Sequence, residues 1–224
     1  MSAALLLLAD GRFPAGGHAH SGGAEAAVKA GRVHDSPSMA AFLTGRLHTT
    51  GLTAAALAAA AAAGLDPAHL DAAADARTPS PALRATSRRL GRQLLRAARA
   101  TWPHPALDQL GAAHPGGAHQ PVVLGVTAHA AGLTPADAAA VAVYESVNGP
   151  ATACVRLLGL DPYEVTAALA RLAPQLGAVS ADAVEAALAA TRHGDVDLLP
   201  AACAPLLDLY AEQHASWKVR LFAS

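Results

Sequence analysis

Residues 66–100 read DPAHLDAAADARTPSPALRATSRRLGRQLLRAARA, and this stretch predicts the fold of the chain. Asp66-Pro67 and Ser80-Pro81 each stand before a run that is rich in alanine and leucine. An Asp or Ser side chain can accept hydrogen bonds from the free N–H groups at a helix start, and proline at the first helical position loses no hydrogen bond. Each pair therefore predicts the start of a helix, here over 67–76 and 81–100.

The same pairing of a capping residue with proline recurs at Ser36-Pro37, Thr134-Pro135 and Asp161-Pro162. Stretches that alternate apolar and polar residues, as strands do, are nearly absent. We therefore predict an all-α fold, a single-domain helical bundle of about nine or ten helices over residues 1–224. The predicted helices are 3–9, 22–30, 37–63, 67–76, 81–100, 122–131, 135–158, 162–190 with a break around Pro174 to Gly177, and 204–215.

Composition narrows the possible functions. Hydrophobic residues make up 53% of the chain but aromatic residues only 4%, so leucine, valine and alanine must form the core. With 16 basic and 17 acidic residues the net charge is −1, which attracts neither nucleic acid nor an anionic membrane. The first leucine run lacks the basic residues of a signal peptide, and the alanine run at 52–65 is too short to span a bilayer. We expect a cytoplasmic protein.

Two loops and two cysteines stand out between the predicted helices. The loop 10–23 contains GRFPAGGHAHSGG, which lacks the Gly-Lys-Ser/Thr of a phosphate-binding loop. We interpret it as a structured contact loop in which Ser21 caps the helix that contains Glu25. The segment 102–121 is rich in proline, glycine and histidine, and we predict a second loop there. Cys154 and Cys203 form no C-x-x-C pair and are expected to be buried.

Two groups of residues, a pair of histidines and a run of arginines, bear on metal binding and nucleic-acid binding. His18 and His20 could offer two imidazoles to a metal ion, but no carboxylate or thiolate is fixed beside them by sequence, so a structural or interface role is favoured. Six arginines make the helix 81–100 basic without interleaved aromatic residues, which favours a solvated face or an acidic partner over nucleic acid. These arginines are Arg84, Arg88, Arg89, Arg92, Arg96 and Arg99.

The chain shows no arrangement of residues that would carry catalysis, neither a nucleophile elbow nor a close pair of carboxylates on one face. We predict a protein that is not an enzyme, with no cofactor and no metal site of its own. Its final residues, 214–224, read HASWKVRLFAS and include Trp217, Leu221 and Phe222. Such an apolar end must pack on the chain's own helices or on a partner, and the sequence leaves both open.

Five ordered segments resemble the urease accessory protein family UreF. They are LLLLADGRFPAGGHAHSGGAEAAV at 5–28, DARTPSPALRATSRRLGRQLLR at 75–96, HQPVVLGVTAHAAGL at 119–133, VYESVNGPATACVRLLGLDP at 143–162 and HASWKVRLFAS at 214–224. The resemblance implies an all-α protein, often a homodimer, that acts with the GTPase UreG and the scaffold UreD (also called UreH) to deliver nickel to the urease apoprotein. The phosphate-binding loop of such a complex would belong to UreG.

The resemblance also implies which residues are critical for the fold or face a partner. These are Gly16, Gly17, His18, His20, Ser21, Glu25, His119, Tyr144, Arg220, Leu221 and Phe222. The chain departs from the family pattern at His18, where an aromatic residue is usual, and at Ala223, where a basic residue is usual. The resulting hypothesis is an adaptor that recruits UreG and modulates its GTP hydrolysis; the alternative is a direct nickel metallochaperone that uses His18 and His20.

Overall fold

The computed structural model describes residues 2–223, which form α-helices joined by turns and loops and contain no strand. The helices are α1 (Ala3–Ala9), α2 (Ala24–Lys29), α3 (Ser36–Arg46), α4 (Leu52–Ala62), α5 (Pro67–Ala76), α6 (Pro81–Thr101), α7 (Pro105–Ala113), α8 (Gln120–Ala130), α9 (Pro135–Leu158), α10 (Pro162–His193) and α11 (Pro205–Ala215). A π-helical turn, Leu47–Gly51, joins α3 to α4 without a gap, so these segments make ten separate helices. The all-α prediction is confirmed.

The capping pairs begin their helices as predicted at four positions. The side chains of Asp66, Ser80, Thr134 and Asp161 each accept a hydrogen bond from a backbone N–H in the first turn of the helix that follows, at 2.8–3.1 Å. Helix α3 differs slightly, because Asp35 rather than Ser36 is its cap: the Asp35 carboxylate accepts from the Ser38 N–H at 2.8 Å. The Ser38 hydroxyl in turn accepts from the Asp35 N–H at 3.1 Å.

Two predictions about where helices are absent or interrupted were wrong. The segment 102–121 is not one loop, because α7 lies within it; Pro105 follows His104, whose Nδ1 accepts from the Ala106 N–H at 3.2 Å. Histidine is an uncommon cap, so the signature was missed. Helix α10 runs unbroken past Pro174 and Gly177. Proline removes one backbone hydrogen bond there, but Ala170 and Pro174 are exposed and water can solvate the freed carbonyl.

The centre of the bundle is α4, which packs against α8, α9 and α10. Its run from Ala55 to Ala62 is buried, and small side chains let the neighbouring backbones approach closely. Gly125 of α8 lies at a close crossing with α4, since a Cβ at that position would lie 2.1 Å from the Ala58 carbonyl oxygen. The core is therefore built on short distances between helix axes rather than on large side chains.

Two further features of the fold bear on the sequence predictions. Cys154 is buried as expected, but Cys203 is exposed in the extended stretch between α10 and α11, so the prediction that both cysteines are buried was wrong for Cys203. Among residues 2–223, no helix is both long enough and apolar enough to cross a membrane.

Candidate functional site

A segment near the beginning of the described chain contacts a segment near its end. The contact loop (residues 10–23) and the tail (residues 217–223, which follow α11) lie side by side, and the Ala223 N–H donates to the Ala19 carbonyl oxygen at 2.8 Å. The sequence singled out both segments but gave no reason to place them together. Their junction is the first part of the candidate site.

Glu25, in the first turn of α2, holds this junction together. Its carboxylate accepts hydrogen bonds from His214 Nε2 at 2.8 Å, from the Leu221 N–H at 2.8 Å and from the Phe222 N–H at 3.1 Å. Burial of Glu25 by itself would raise the pKa of its carboxyl, but these three hydrogen bonds outweigh burial and the pKa is lowered. One buried charge thus fixes the tail to the loop.

Aromatic and apolar contacts surround Glu25. The Lys29 ammonium lies 3.7 Å from the centroid of the Trp217 ring, and the His214 and Trp217 rings lie 4.9 Å apart. The Phe222 side chain is buried, whereas Leu221 is 75% exposed. The tail therefore divides into an inner face that packs on α2 and α11 and an outer face that meets solvent.

The loop backbone depends on its glycines. Gly16 has φ +80°, and a Cβ there would lie 1.8 Å from Gln93 Oε1 of α6. Gly17 begins a short 3₁₀ turn, Gly17–Ala19. Ser21 is fully buried, and its hydroxyl accepts from the Glu25 N–H at 3.3 Å. The residue that immediately precedes α2 is Gly23, with φ +90°, so Ser21 supports the start of the helix from two residues earlier than an ordinary cap.

A cavity of about 1070 Å³ opens beside the loop–tail junction. Helices α3, α4, α6, α9 and α11 contribute to its walls together with the loop and the tail. Seven of the residues singled out in the sequence line it: Gly17, His18, His20, His119, Tyr144, Arg220 and Phe222. The structure thus brings most of the predicted site residues to one concave surface.

The chain matches the family model described as UreF over residues 33–173, more than half of its length. The chain belongs to the UreF family. Its relatives include proteins described as "Urease accessory protein UreF". The one from Mycolicibacterium vanbaalenii is 44% identical over 99% of this chain and 98% of its own length; the one from Mycobacterium sp. (strain JLS) is 45% identical over 98% and 97%. The one from Mycobacterium marinum is 44% identical over 99% of this chain and 98% of its own length.

The family assignment confirms the resemblance found in the sequence and supports a role in urease maturation as an accessory protein. The matched model begins at residue 33 and ends at residue 173, so the contact loop and the tail lie outside it. The relatives extend over both segments, because their alignments cover 98–99% of this chain.

In this UreF chain His119 belongs to a buried polar network. Its Nε2 lies 2.8 Å from Asp75 Oδ1, its Nδ1 lies 3.0 Å from Ser87 Oγ, and its N–H donates to Asp71 Oδ1 at 2.7 Å. Arg88 joins the same network by donating to both carboxylates, at 2.9 Å and 2.8 Å. His119 therefore connects the start of α8 to α5 and α6 through hydrogen bonds, and only a small part of the His119 side chain is exposed to the cavity.

The basic helix of this UreF chain turns most of its arginines toward its own backbone and carboxylates. Besides Arg88, Arg84 bonds to the Thr78 carbonyl, Arg92 to the Gly116 carbonyl, and Arg99 pairs with Asp108 at 2.9 Å. Arg92 and Arg99 nevertheless remain exposed, as expected of a solvated face, whereas Arg84 and Arg88 are half-buried and engaged within the chain. Arg89 differs from them, because it lines the cavity.

His18 and His20 stand in different surroundings. His18 is exposed, whereas His20 is 8% exposed. Burial and the nearby charge of Arg89 lower the pKa of His20 to about 4, so its imidazole is neutral at pH 7. A neutral imidazole can bind a metal, but the charge of Arg89 opposes a cation beside it. Within residues 2–223, no group of three or more His, Cys, Asp or Glu side chains is placed to hold a metal ion.

Sequence reasoning missed several residues of the cavity. Glu145, next to Tyr144, accepts from Gln120 Nε2 at 3.0 Å. Glu145 lines the cavity and remains exposed to solvent. Partial desolvation of its carboxyl by the surrounding cavity walls raises the pKa of that group to about 7. Arg46 and His214 were also missed. Their partners are 24 to 189 residues away in sequence, and no local pattern reports contacts at such distances.

Proposed function

We propose that this UreF chain is a non-enzymatic adaptor that, together with UreD (UreH), recruits the GTPase UreG and modulates its GTP hydrolysis so that nickel enters the urease apoprotein. The observation that carries the proposal is the attachment of the tail to the contact loop by Glu25. This attachment joins the contact loop and the tail, which both lie outside the helical bundle, into one surface. Helices α2 and α11 hold that surface in place.

The site residues then divide into two roles. Gly16, Ser21, Glu25 and Phe222 hold the junction from inside, where they are buried or tightly packed. His18, Arg220 and Leu221 lie on its exposed side and are proposed to meet UreG, with Gly17 and Tyr144 at the edge of the cavity. The bundle is proposed to bind UreD, and the chain is proposed to act as a homodimer within the complex.

Co-purification tests this proposal. The tagged chain, co-expressed with UreD and UreG, is expected to capture both proteins. Leu221→Asp is expected to weaken UreG capture at least tenfold, about 1.4 kcal/mol or more, because a central apolar contact would be lost while the Leu221 N–H bond to Glu25 remains. Leu188→Asp on α10, a leucine that is also exposed, is the matched control and should capture UreG normally.

The outcomes separate clearly. Capture of neither protein by the unaltered chain would overturn the adaptor proposal. If the Leu221→Asp variant captures both proteins with normal affinity, the chain is still an adaptor, but the tail is not part of the surface that binds UreG. GTP hydrolysis by UreG, measured with and without the captured chain, tests the modulation of its rate.

A further inference from the structure

The cavity beside the loop–tail junction carries an excess of positive charge. Its walls are largely apolar, with leucines such as Leu57, Leu90 and Leu94. Among residues 2–223, six arginines but only two side-chain carboxyl groups line it, although the whole chain has a net charge of −1. The arginines are Arg12, Arg46, Arg77, Arg89, Arg156 and Arg220, and the carboxyl groups belong to Asp10 and Glu145.

Two of the six arginines are satisfied by the chain itself. Arg12 forms an ion pair with Asp10 at 3.0 Å. Arg77 donates to the carbonyl oxygens of Pro200, Val196 and Leu199 at 2.8–3.1 Å, which binds the segment after α10 to α5. Asp10 is thus already paired with Arg12, and carbonyl groups hold Arg77 in place although it forms no ion pair within residues 2–223.

Arg46 is a charge without a carboxylate. Its guanidinium donates to the Gly22 and Ser146 carbonyl oxygens at 2.6 and 3.1 Å, and it forms no ion pair with any residue in 2–223. Burial lowers the pKa of Arg46 to about 10, so it stays charged at neutral pH. Carbonyl groups solvate this cation but do not neutralise it, and Arg46 is half-buried, where an unpaired charge is unfavourable.

Arg89 and Arg156 leave their charges facing the cavity. Within residues 2–223, the Arg89 side chain donates only to the Thr86 hydroxyl, at 3.3 Å, and the Arg156 guanidinium lies 6.0 Å from the centroid of the Phe222 ring. Neither forms an ion pair within the described part of the chain. The one remaining carboxyl group, Glu145, is engaged by Gln120. The cavity therefore presents guanidinium groups, which bind carboxylates in a bidentate fashion, above apolar walls.

We propose that this cavity receives an acidic segment of a partner protein, in which carboxylate side chains flank apolar ones. The proposal rests on the adaptor function and specifies the chemistry of one of its contacts. The apolar walls take the apolar side chains, while Arg89 and Arg156 at the rim take the carboxylates. A volume of about 1070 Å³ suits several side chains, whereas a small inorganic anion would leave the apolar walls unfilled.

Charge reversal in the complex with UreD and UreG tests the proposal. Arg89→Glu and Arg156→Glu should each weaken capture of one partner at least tenfold, and the unaltered complex should lose affinity as salt is raised. Arg171→Glu and Arg192→Glu are the controls, because these arginines are exposed on α10 outside the cavity. Melting curves of the variants confirm folding; Arg89→Gln and Arg156→Gln replace any variant that fails to fold.

Cross-linking identifies the occupant. A photoreactive benzoylphenylalanine in place of Leu90, inside the cavity, should join in the purified complex to a partner peptide with carboxylates next to apolar residues. A cross-linked partner peptide that is neutral or basic would overturn the proposal. So would normal capture by both charge-reversal variants, and in that case the adaptor function still stands. If the unaltered chain captures neither UreD nor UreG, the adaptor function fails instead.

Discussion

Glu25 accepts three hydrogen bonds from a segment that begins 189 residues later in the chain. Its replacement therefore tests the loop–tail junction directly. Glu25→Gln removes the charge and turns one oxygen into a donor that faces a backbone N–H, that of Leu221 or that of Phe222. We expect a loss of about 1.5–3 kcal/mol in the free energy of unfolding, the range for hydrogen bonds to charged groups. Thermal and urea denaturation measure this loss.

Glu185→Gln is the control for that substitution, because Glu185 lies exposed on α10. It should change stability by less than about 0.5 kcal/mol. Hydrogen exchange adds a local readout, since the Leu221 and Phe222 amides should lose protection only in Glu25→Gln. Equal stability of the two variants would mean that the junction contributes little to the fold.

The same carboxyl makes the junction sensitive to acid. Its pKa is lower in the folded chain than in the unfolded chain, so the unfolded chain binds the proton more readily. The junction therefore contributes fully above the ordinary glutamate pKa of about 4.3 and loses its contribution as the pH falls through the lower folded value. Amide NMR signals of Leu221 and Phe222 should follow this transition. A tail that stays bound in acid would contradict it.

At the residue scale the sequence indicated candidates but not their partners. Glu25, Leu221 and Phe222 were each singled out by resemblance, and Ser21 and Trp217 by their type and position. Their joining depends on how α2 and α11 pack, which no local pattern encodes. Glu145 shows the same limit: its raised pKa comes from the surrounding cavity and not from its sequence neighbours.

Close crossings of helices give a second test, at the scale of the elements. Gly125→Ala in α8 would place a Cβ 2.1 Å from the Ala58 carbonyl oxygen and 2.5 Å from the Ala61 Cβ. Because both neighbours belong to the rigid centre of α4, we expect destabilisation of about 1–3 kcal/mol, as for other overpacked cores. Denaturation curves measure the effect.

Gly177→Ala is the matched control in α10, where a Cβ would meet nothing within 4 Å. Alanine is a better helix former than glycine, so this variant should be more stable by as much as about 1 kcal/mol. The two substitutions add the same methyl group and should act in opposite directions. Stabilisation by both would show that α4 and α8 do not cross as closely as described.

The starts of the helices that have a cap and proline were predicted to within one residue, because the signal is local and lies at that boundary itself. The errors arose where tertiary surroundings decide the outcome. Pro174 is tolerated because its side of α10 is exposed while Leu172 and Val179 pack on the bundle. The start of α7 is capped by His104, which sequence statistics do not favour for that role.

At the scale of the whole molecule, the tail closes one side of the cavity without being part of the bundle. Deletion of Val219 to Ser224 removes Arg220 and Phe222 from the cavity wall and two donors from Glu25. We expect unchanged helical content by circular dichroism, a lower melting temperature and loss of UreG capture with UreD capture retained. Retention of UreG would place its binding surface elsewhere.

The contact loop and the tail lie far apart along the chain, so the junction between them can form only late in synthesis. Residues of α2 leave the ribosome long before 214–222, so Glu25 stays without its donors until that last stretch has emerged. A nascent or prematurely terminated chain can build most of its helices but cannot join loop to tail. The surface proposed for UreG would then exist only on chains whose translation has passed residue 222, so that incomplete copies do not compete for the GTPase.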